Sequence, residues 1–191
     1  MTTISINQKN NKNLKKLHLG CGDIKIPNYI NIDSRKTKAT DKIHDIKDLS
    51  IFENDSIDEI YACHVLEHFG RFEVNDILKN WYKVLKKNGI LRIAVPDFES
   101  ICFIYNNTNK ISLIEGPVIG GQTYKNNFHY NIFDYNKLKN ILLECGYKAV
   151  ERYNWRETDH SDIDDYSQAY IPHMQKENGK LISLNVKCQK S

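Results

Sequence analysis

Two glycines follow a short apolar run in Leu-His-Leu-Gly-Cys-Gly (17–22), and Asp33 closes the next apolar run, Tyr29 to Asp33. A Gly-x-Gly directly after a strand lets backbone N–H groups approach a ligand with no Cβ in the way. A carboxylate at the end of the next strand can accept both hydroxyls of a ribose. A tight turn and a solvated turn acid are the plain alternatives. The spacing discriminates between nucleotides. A dinucleotide site wants a third glycine, a full helix aimed at the pyrophosphate and an acid about 20 residues on. Here Asp33 follows Gly22 by eleven positions, and Pro27 lies between them. No three-turn helix fits in that gap beside the entering strand, at about 1.5 Å per residue. The natural phosphate holder, a helix N-terminus, is therefore missing. The expected ligand is a nucleoside without phosphates. S-adenosylmethionine fits that description; NAD does not.

A second group of residues has the chemistry of proton transfer. Of the seven His, three sit in segments that should face such a ligand: His64, His68 and His129. His64 and His68 are spaced i and i+4, so they can share one face of a helical turn, with Glu67 beside them. A metal site there needs further ligands, and none is spaced to suggest them, so no metal is expected. Shaping the loop is the plainer role for this pair. His129 lies in Gly-Gly-Gln-Thr-Tyr-Lys-Asn-Asn-Phe-His-Tyr (120–130), a loop rich in polar and aromatic residues. An imidazole there titrates near neutral pH, as a general base must. Packing of the loop is the alternative. A long segment, Trp155 to Lys180, carries Asp159, His160, Asp162, Asp164 and Asp165, then Tyr166, Tyr170 and His173. Its acids lack the glycine and terminal Glu of a calcium loop at the spacing such a loop needs. It reads as a solvated acidic loop, or as an acceptor flap in which Asp165, Ser167, Tyr170 and His173 hydrogen-bond a polyhydroxylated substrate while Tyr and Trp stack on it.

These residues need a scaffold. Leu14 to Leu19, Tyr29 to Asp33, Lys42 to Asp45 and Ile57 to Ala62 read as strands. Val74, Ile77, Leu78, Trp81, Tyr82 and Leu85 form one apolar stripe at helical spacing. Lys83, Lys86 and Lys87 suit the negative end of that helix, and Asn88-Gly89 is expected to break it. Ile90 to Val95 is the apolar run of a central parallel strand. A second amphipathic helix is expected over Phe133 to Cys145, with Asp134 as N-cap and Gly146 as stop. Ala149 to Asn154 and Leu181 to Lys187 read as late strands. Strands alternating with helices predict an open α/β sheet with helices on both faces. Ligands of such sheets sit beyond the carboxyl ends of the strands, at the topological switch point.

Composition sets the outer limits. The chain has 191 residues, 40% hydrophobic and 27% charged, with a formal charge of +3, so a broad nucleic-acid-binding face is disfavoured. No stretch approaches the roughly 18–20 apolar residues of a membrane span. Residues 1–12 read as a flexible start without the apolar core of a signal peptide, and 13–191 as one domain. The five Cys are scattered with no CxxC, which suits a reducing compartment, and a cytoplasmic location is expected.

Leu-His-Leu-Gly-Cys-Gly, Tyr-Ile-Asn-Ile-Asp (29–33), His-Asp-Ile (44–46), Asp-Ser-Ile-Asp-Glu-Ile-Tyr-Ala-Cys-His-Val-Leu-Glu-His-Phe (55–69) and Val-Leu-Lys-Lys-Asn-Gly-Ile-Leu-Arg-Ile-Ala-Val-Pro-Asp (84–97) together resemble class I S-adenosylmethionine-dependent methyltransferases. The abbreviated first helix, and Asp-Asp-Tyr-Ser-Gln-Ala-Tyr-Ile-Pro-His-Met (164–174) before Ser-Leu-Asn-Val (183–186), resemble a compact bacterial branch of them. The resemblance implies a Rossmann-like, mostly parallel sheet of seven-strand type. It implies that Gly20, Cys21 and Gly22 line the methionine and ribose of S-adenosylmethionine and that Asp33 takes the ribose hydroxyls. Asp45 would accept from the adenine amino group, and the Ile46 backbone would read the ring edge. Cys63 or His64 would meet the methionine part through the backbone. His18 stands where many relatives carry an acid, and its imidazole would reach the ligand amino group directly or through water. The function implied is O- or N-methylation of a small molecule or saccharide precursor. A non-catalytic S-adenosylmethionine-binding partner module is the alternative, and a homodimer stays open.

Overall fold

The structure, a computed structural model, describes residues 14–191. The expected flexible start, residues 1–12, lies outside them. Five strands alternate with turns and one long helix in the first half: β1 (Lys16–Leu19), β2 (Ile30–Asp33), β3 (Lys42–Ile43), β4 (Ile57–Cys63), α1 (Val74–Val84) and β5 (Leu85–Pro96). Then come α2 (Phe98–Thr108), α3 (Glu115–Ile119), α4 (Tyr135–Glu144), β6 (Tyr147–Arg152), the short hairpin β7 (Tyr170–Ile171) and β8 (Lys180–Leu181), and β9 (Ser183–Lys190). The seven-stranded sheet has the order β3-β2-β1-β4-β5-β9-β6. β1 to β5 run parallel, while β9 is antiparallel to both its neighbours. This is the mostly parallel α/β sheet expected. The chain leaves β1 towards β2 and returns on the other side at β4, so the switch point lies between the carboxyl ends of β1 and β4.

One face of the sheet is apolar. Leu17, Leu19, Ile60, Ala62, Ile93 and Val95 pack beneath Val74, Ile77, Leu78 and Trp81 of α1 and Leu138 and Leu142 of α4. Trp81 is wholly buried, and its Nε1 donates to Ile46 O at 2.7 Å, tying the segment after β3 to the helix. α1 ends earlier than its sequence suggests. Leu85 is buried and already pairs with Ile57, so the chain turns from helix to strand there. Asn88-Gly89 consequently lies inside β5, and Lys86 bonds Asp58 rather than the helix end. At α4 the expected cap is present, with Asp134 Oδ1 accepting from Lys137 N at 2.7 Å. β6 and β9 are each displaced from their expected spans. Leu181 belongs to the hairpin instead, and Ala149 stands at a register shift with φ of 51°.

The opposite face is polar at its centre, and residues 154–182 cover it. Tyr61 Oη donates to Asp165 Oδ2 at 2.6 Å. Ser167 donates to Asp165 Oδ1 through both N and Oγ, and Asn185 Nδ2 donates to Ser167 O. Tyr29 and Arg92 both bond Glu59. The expected flap thus needs correction: Asp165, Ser167 and Tyr170 are buried, and the Tyr170 hydroxyl accepts from Trp155 and Arg156. They are wall residues of the domain, with their hydrogen-bonding capacity spent on it. α2 packs beside this wall, where Ile101 and Ile104 meet Ile114 and Ile182. Among the described residues, no helix is long and apolar enough to cross a membrane.

Candidate functional site

The glycine loop and the end of β2 are joined by hydrogen bonds. Cys21 N donates to Ile32 O at 3.0 Å, and Ile24 N to Cys21 O at 2.9 Å, so the chain turns back at once. Between β1 and β2 the structure has turns and no helix. Gly20 has φ of +66°, and a Cβ on it would stand 2.5 Å from Val65 Cγ2. Glycine therefore lets the end of β1 lie against the first turn after β4. Gly22 N donates to Asp33 Oδ2 at 2.8 Å and Arg35 N to Asp33 Oδ1 at 2.8 Å. Arg35 Nε also reaches Oδ1, at 3.4 Å, so Oδ2 is the oxygen that keeps a lone pair for a further donor. Nothing closer than Arg35, at 3.8 Å, would meet a Cβ on Gly22, so that backbone is open.

His18 and Asn31 build the wall behind this loop. His18 is 3% exposed, stacks on Tyr61 and stands 3.0 Å by Nδ1 from Asn31 Oδ1. Asn31 in turn bonds Ile26, Tyr29 O and Asp41. The Lys25 ammonium beside Asp41 holds its carboxyl down to about 2. Burial pushes the His18 imidazole below its ordinary pKa. Its observed partners are protein groups, and through Asn31 it supports the turn at Ile26. Cys21 is likewise buried, with its thiol towards Thr40 and its backbone N–H and carbonyl paired with Ile32 O and Ile24 N.

Asp45 is exposed beyond β3 and uses one oxygen to cap its own turn, accepting from Lys47 N at 3.0 Å. The Ile46 side chain lies in the core and its carbonyl is taken by Trp81, so reading a ring edge falls to its N–H. Cys63 ends β4 with a thiol that burial pushes well above the ordinary range.

His64 leaves β4 in a left-handed conformation, φ 52°, with its N–H on Ala94 O. That kink leads into a single 3₁₀ turn, Leu66–His68. Glu67 is wholly buried. Its backbone oxygen accepts from Tyr130 N at 2.7 Å and Asn131 N at 3.2 Å, which brings the 120–130 loop across to β4. His64, His68 and His129 therefore meet around Glu67, as one cluster. His64 Nδ1 lies 3.2 Å from Glu67 Oε1, and its Nε2 stands 3.2 Å from Ser183 Oγ. The His68 and His129 rings pack edge to face with centroids 4.9 Å apart. Burial opposes ionisation of Glu67, but His64 and His68 outweigh it and hold the carboxyl below its usual value. Burial lowers the His129 pKa. Beside His129 opens a polar hollow of about 300 Å³ with Arg71, Tyr130, Asn131 and Lys137 on its walls. The sequence reading did not foresee Arg71 and Lys137. They are single basic residues in unrelated segments, and only the fold brings them to His129.

Residues 17–93, which run from β1 into β5, match the family described as a methyltransferase domain. No protein of curated function matches the chain by sequence. Among solved structures it is similar to a SAM-dependent methyltransferase of Archaeoglobus fulgidus, with 15% identity over 93% of this chain and 86% of that one, and a TM-score of 0.59. A SAM-dependent methyltransferase of Methanosarcina mazei is similar at 16% identity over 92% of each chain, TM-score 0.54. So is the Burkholderia thailandensis 1,6-didemethyltoxoflavin-N1-methyltransferase, solved with 1,6-didemethyltoxoflavin and S-adenosylhomocysteine. It shares 10% identity over 92% of this chain and 70% of that one, with a TM-score of 0.55. At these identities the structures speak for the fold. The site fits an adenosyl ligand: a spare lone pair on Asp33 Oδ2, open space beside Gly22 and no helix N-terminus between β1 and β2 for a phosphate. The match over β1 to β5 and these solved structures together show that the chain has the fold of S-adenosylmethionine-dependent methyltransferases.

Proposed function

We propose that this chain O-methylates a small, hydroxylated, anionic acceptor of the saccharide-precursor type. The observation that carries the reading is the double position of His129. It joins Glu67 and His68 on one side and lines the hollow holding Arg71 and Lys137 on the other. Two cations there suit a phosphate or carboxylate on the acceptor, and the imidazole–carboxylate cluster suits a hydroxyl that must lose its proton.

S-adenosylmethionine supplies an electrophilic methyl group when bound. Gly20, Cys21 and Gly22 would line its methionine and ribose by close backbone approach, with Cys63 and His64 lining the methionine part after β4. Asp33 would accept the ribose hydroxyls. Asp45 would accept from the adenine amino group with its second oxygen while Ile46 N–H meets the ring edge. His64, His68 and His129 act on the acceptor. Tyr166, 64% exposed and 5.4 Å from the His64 ring, offers a face for a sugar ring. Holding both reactants in line supplies most of the acceleration in such a transfer.

The test is transfer of a labelled methyl group to a panel of sugar phosphates, nucleotide-linked sugars, neutral sugars and amines. Turnover of charged, hydroxylated acceptors is expected, with KM raised about tenfold in Arg71→Ala, the loss of one charge-assisted hydrogen bond. Methylation confined to uncharged acceptors or to amines would overturn the reading.

A further inference from the structure

We propose that Glu67, His68 and His129 bind one divalent transition-metal ion. Each offers a ligand atom, and these atoms lie within 4.8 Å of one another. Two independent features point to an ion rather than to a chance meeting of side chains.

The first is the tautomer of both rings. His68 Nδ1 lies 3.0 Å from Phe128 O, and His129 Nδ1 lies 3.0 Å from Pro117 O. A backbone carbonyl only accepts, so each Nδ1 carries the hydrogen and each Nε2 keeps its lone pair. Metal-ligating imidazoles are oriented in this way, with the far nitrogen held by a carbonyl or carboxylate.

The second is the state of Glu67. Its side chain is wholly buried, and neither carboxylate oxygen has a hydrogen bond. His64 Nδ1 stands 3.2 Å from Oε1 outside hydrogen-bond alignment, and Oε2 has no hydrogen-bond partner. A buried carboxylate without donors is costly, and a cation between it and the two Nε2 atoms removes that cost.

The ligand set chooses among cations. Two imidazole nitrogens and one carboxylate suit Mn²⁺, Fe²⁺, Co²⁺, Ni²⁺ or Zn²⁺ better than the all-oxygen ions Mg²⁺ and Ca²⁺. Bonds of about 2.0–2.2 Å require the three groups to draw together by on the order of 1 Å. Three protein ligands also leave positions open. An ion there would hold an acceptor hydroxyl and lower its pKa, so that the proton passes to solvent water as the oxygen takes the methyl group from the sulfonium, and His129 would serve as a ligand instead of a base. Use of the ion on the acceptor rests on the function proposed above; binding of the ion does not.

The experiment strips the untagged protein with a chelator and titrates it with Co²⁺, following visible absorption and stoichiometry. S-adenosylmethionine-dependent thermal stabilisation is recorded on the same samples as a check of folding. One Co²⁺ per chain is expected, with affinity falling at least tenfold in His68→Ala, in His129→Ala and in Glu67→Gln, and unchanged in His44→Ala. Absence of binding at millimolar Co²⁺, or binding that His68→Ala and His129→Ala leave intact, would overturn the site. Should Co²⁺ bind while S-adenosylmethionine fails to stabilise the wild type, the metal site stands and the methyltransferase reading falls.

Discussion

Gly22 N donates to Asp33 Oδ2 at 2.8 Å, and this bond joins the loop after β1 to the end of β2 with no helix between them. Asp33 has two tasks on this account: it shapes the glycine loop and accepts the ribose hydroxyls. Asp33→Ala should cost stability, because Gly22 N and Arg35 N both lose their acceptor. It should also weaken S-adenosylmethionine about 10- to 150-fold, the worth of hydrogen bonds to a charged group. Asp33→Asn should fare little better, since an amide presents only one acceptor where two N–H groups converge. Calorimetric titration and urea unfolding separate the effects. A stability loss with unchanged affinity would refute the ribose role.

Trp81 links the core to the adenine side of the cleft. Its indole is the donor for Ile46 O, and the residue before Ile46 is Asp45. Trp81→Phe should keep much of the packing yet strand that carbonyl and leave a small void. The expected loss is about 2–4 kcal/mol. Because Asp45 and Ile46 lose their anchor, affinity for S-adenosylmethionine should fall along with stability. Equilibrium unfolding and ligand titration on one sample test both halves.

The glycine loop and the carboxylate at the end of β2 were readable because their signals are local. Gly20, Gly22 and Asp33 stand at strand ends, and the short gap between them already excluded a helix. The acceptor side depends on contacts that no spacing reveals. His129 was singled out from its loop, but the bonds from Tyr130 N and Asn131 N to Glu67 O are what carry it to His68. The 154–182 segment misled for a related reason. Asp165 and Ser167 look like solvated residues, whereas the fold buries them opposite Tyr61, where they satisfy one another. α1 was read one turn too long because Leu85 continues its apolar stripe; pairing with Ile57 claims that residue for the sheet.

The buried imidazole of His18 should be visible in the pH dependence of stability. Burial is the dominant cause of its lowered pKa, with Asn31 and the more distant Asp165, His160 and Asp33 as smaller influences. The folded state keeps His18 neutral, while the unfolded chain binds a proton near pH 6.5. Below that pH the unfolded state gains protons that the folded state refuses, so stability falls as pH falls, by at most about 1.4 kcal/mol per pH unit. Above pH 6.5 this contribution is constant. His18→Gln removes the titration and retains a side chain able to bond Asn31. The stability difference between wild type and variant should shrink by about 1 kcal/mol from pH 7 to pH 5.5. Urea unfolding at the two pH values would show this, and a constant difference would mean that His18 takes up its proton as readily in the fold as in the unfolded chain.

Gly20 and Val65 test whether the crevice depends on the close approach of β1 and the turn after β4. Gly20→Ala meets two obstacles. A left-handed conformation costs an L-residue about 1–2 kcal/mol, and the new Cβ stands 2.5 Å from Val65 Cγ2. Val65→Ala removes the second obstacle and leaves the first, while opening a small void of its own. The double variant should therefore be more stable than the sum of the single losses predicts, because the two side chains collide only when both are present. It should still fall short of the wild type by at least the conformational cost. S-adenosylmethionine affinity should follow the same order, since Gly20 sits where its backbone would meet the ligand. Additive losses in the cycle would show that Val65 yields freely to a Cβ, and that the glycine is needed for its conformation alone.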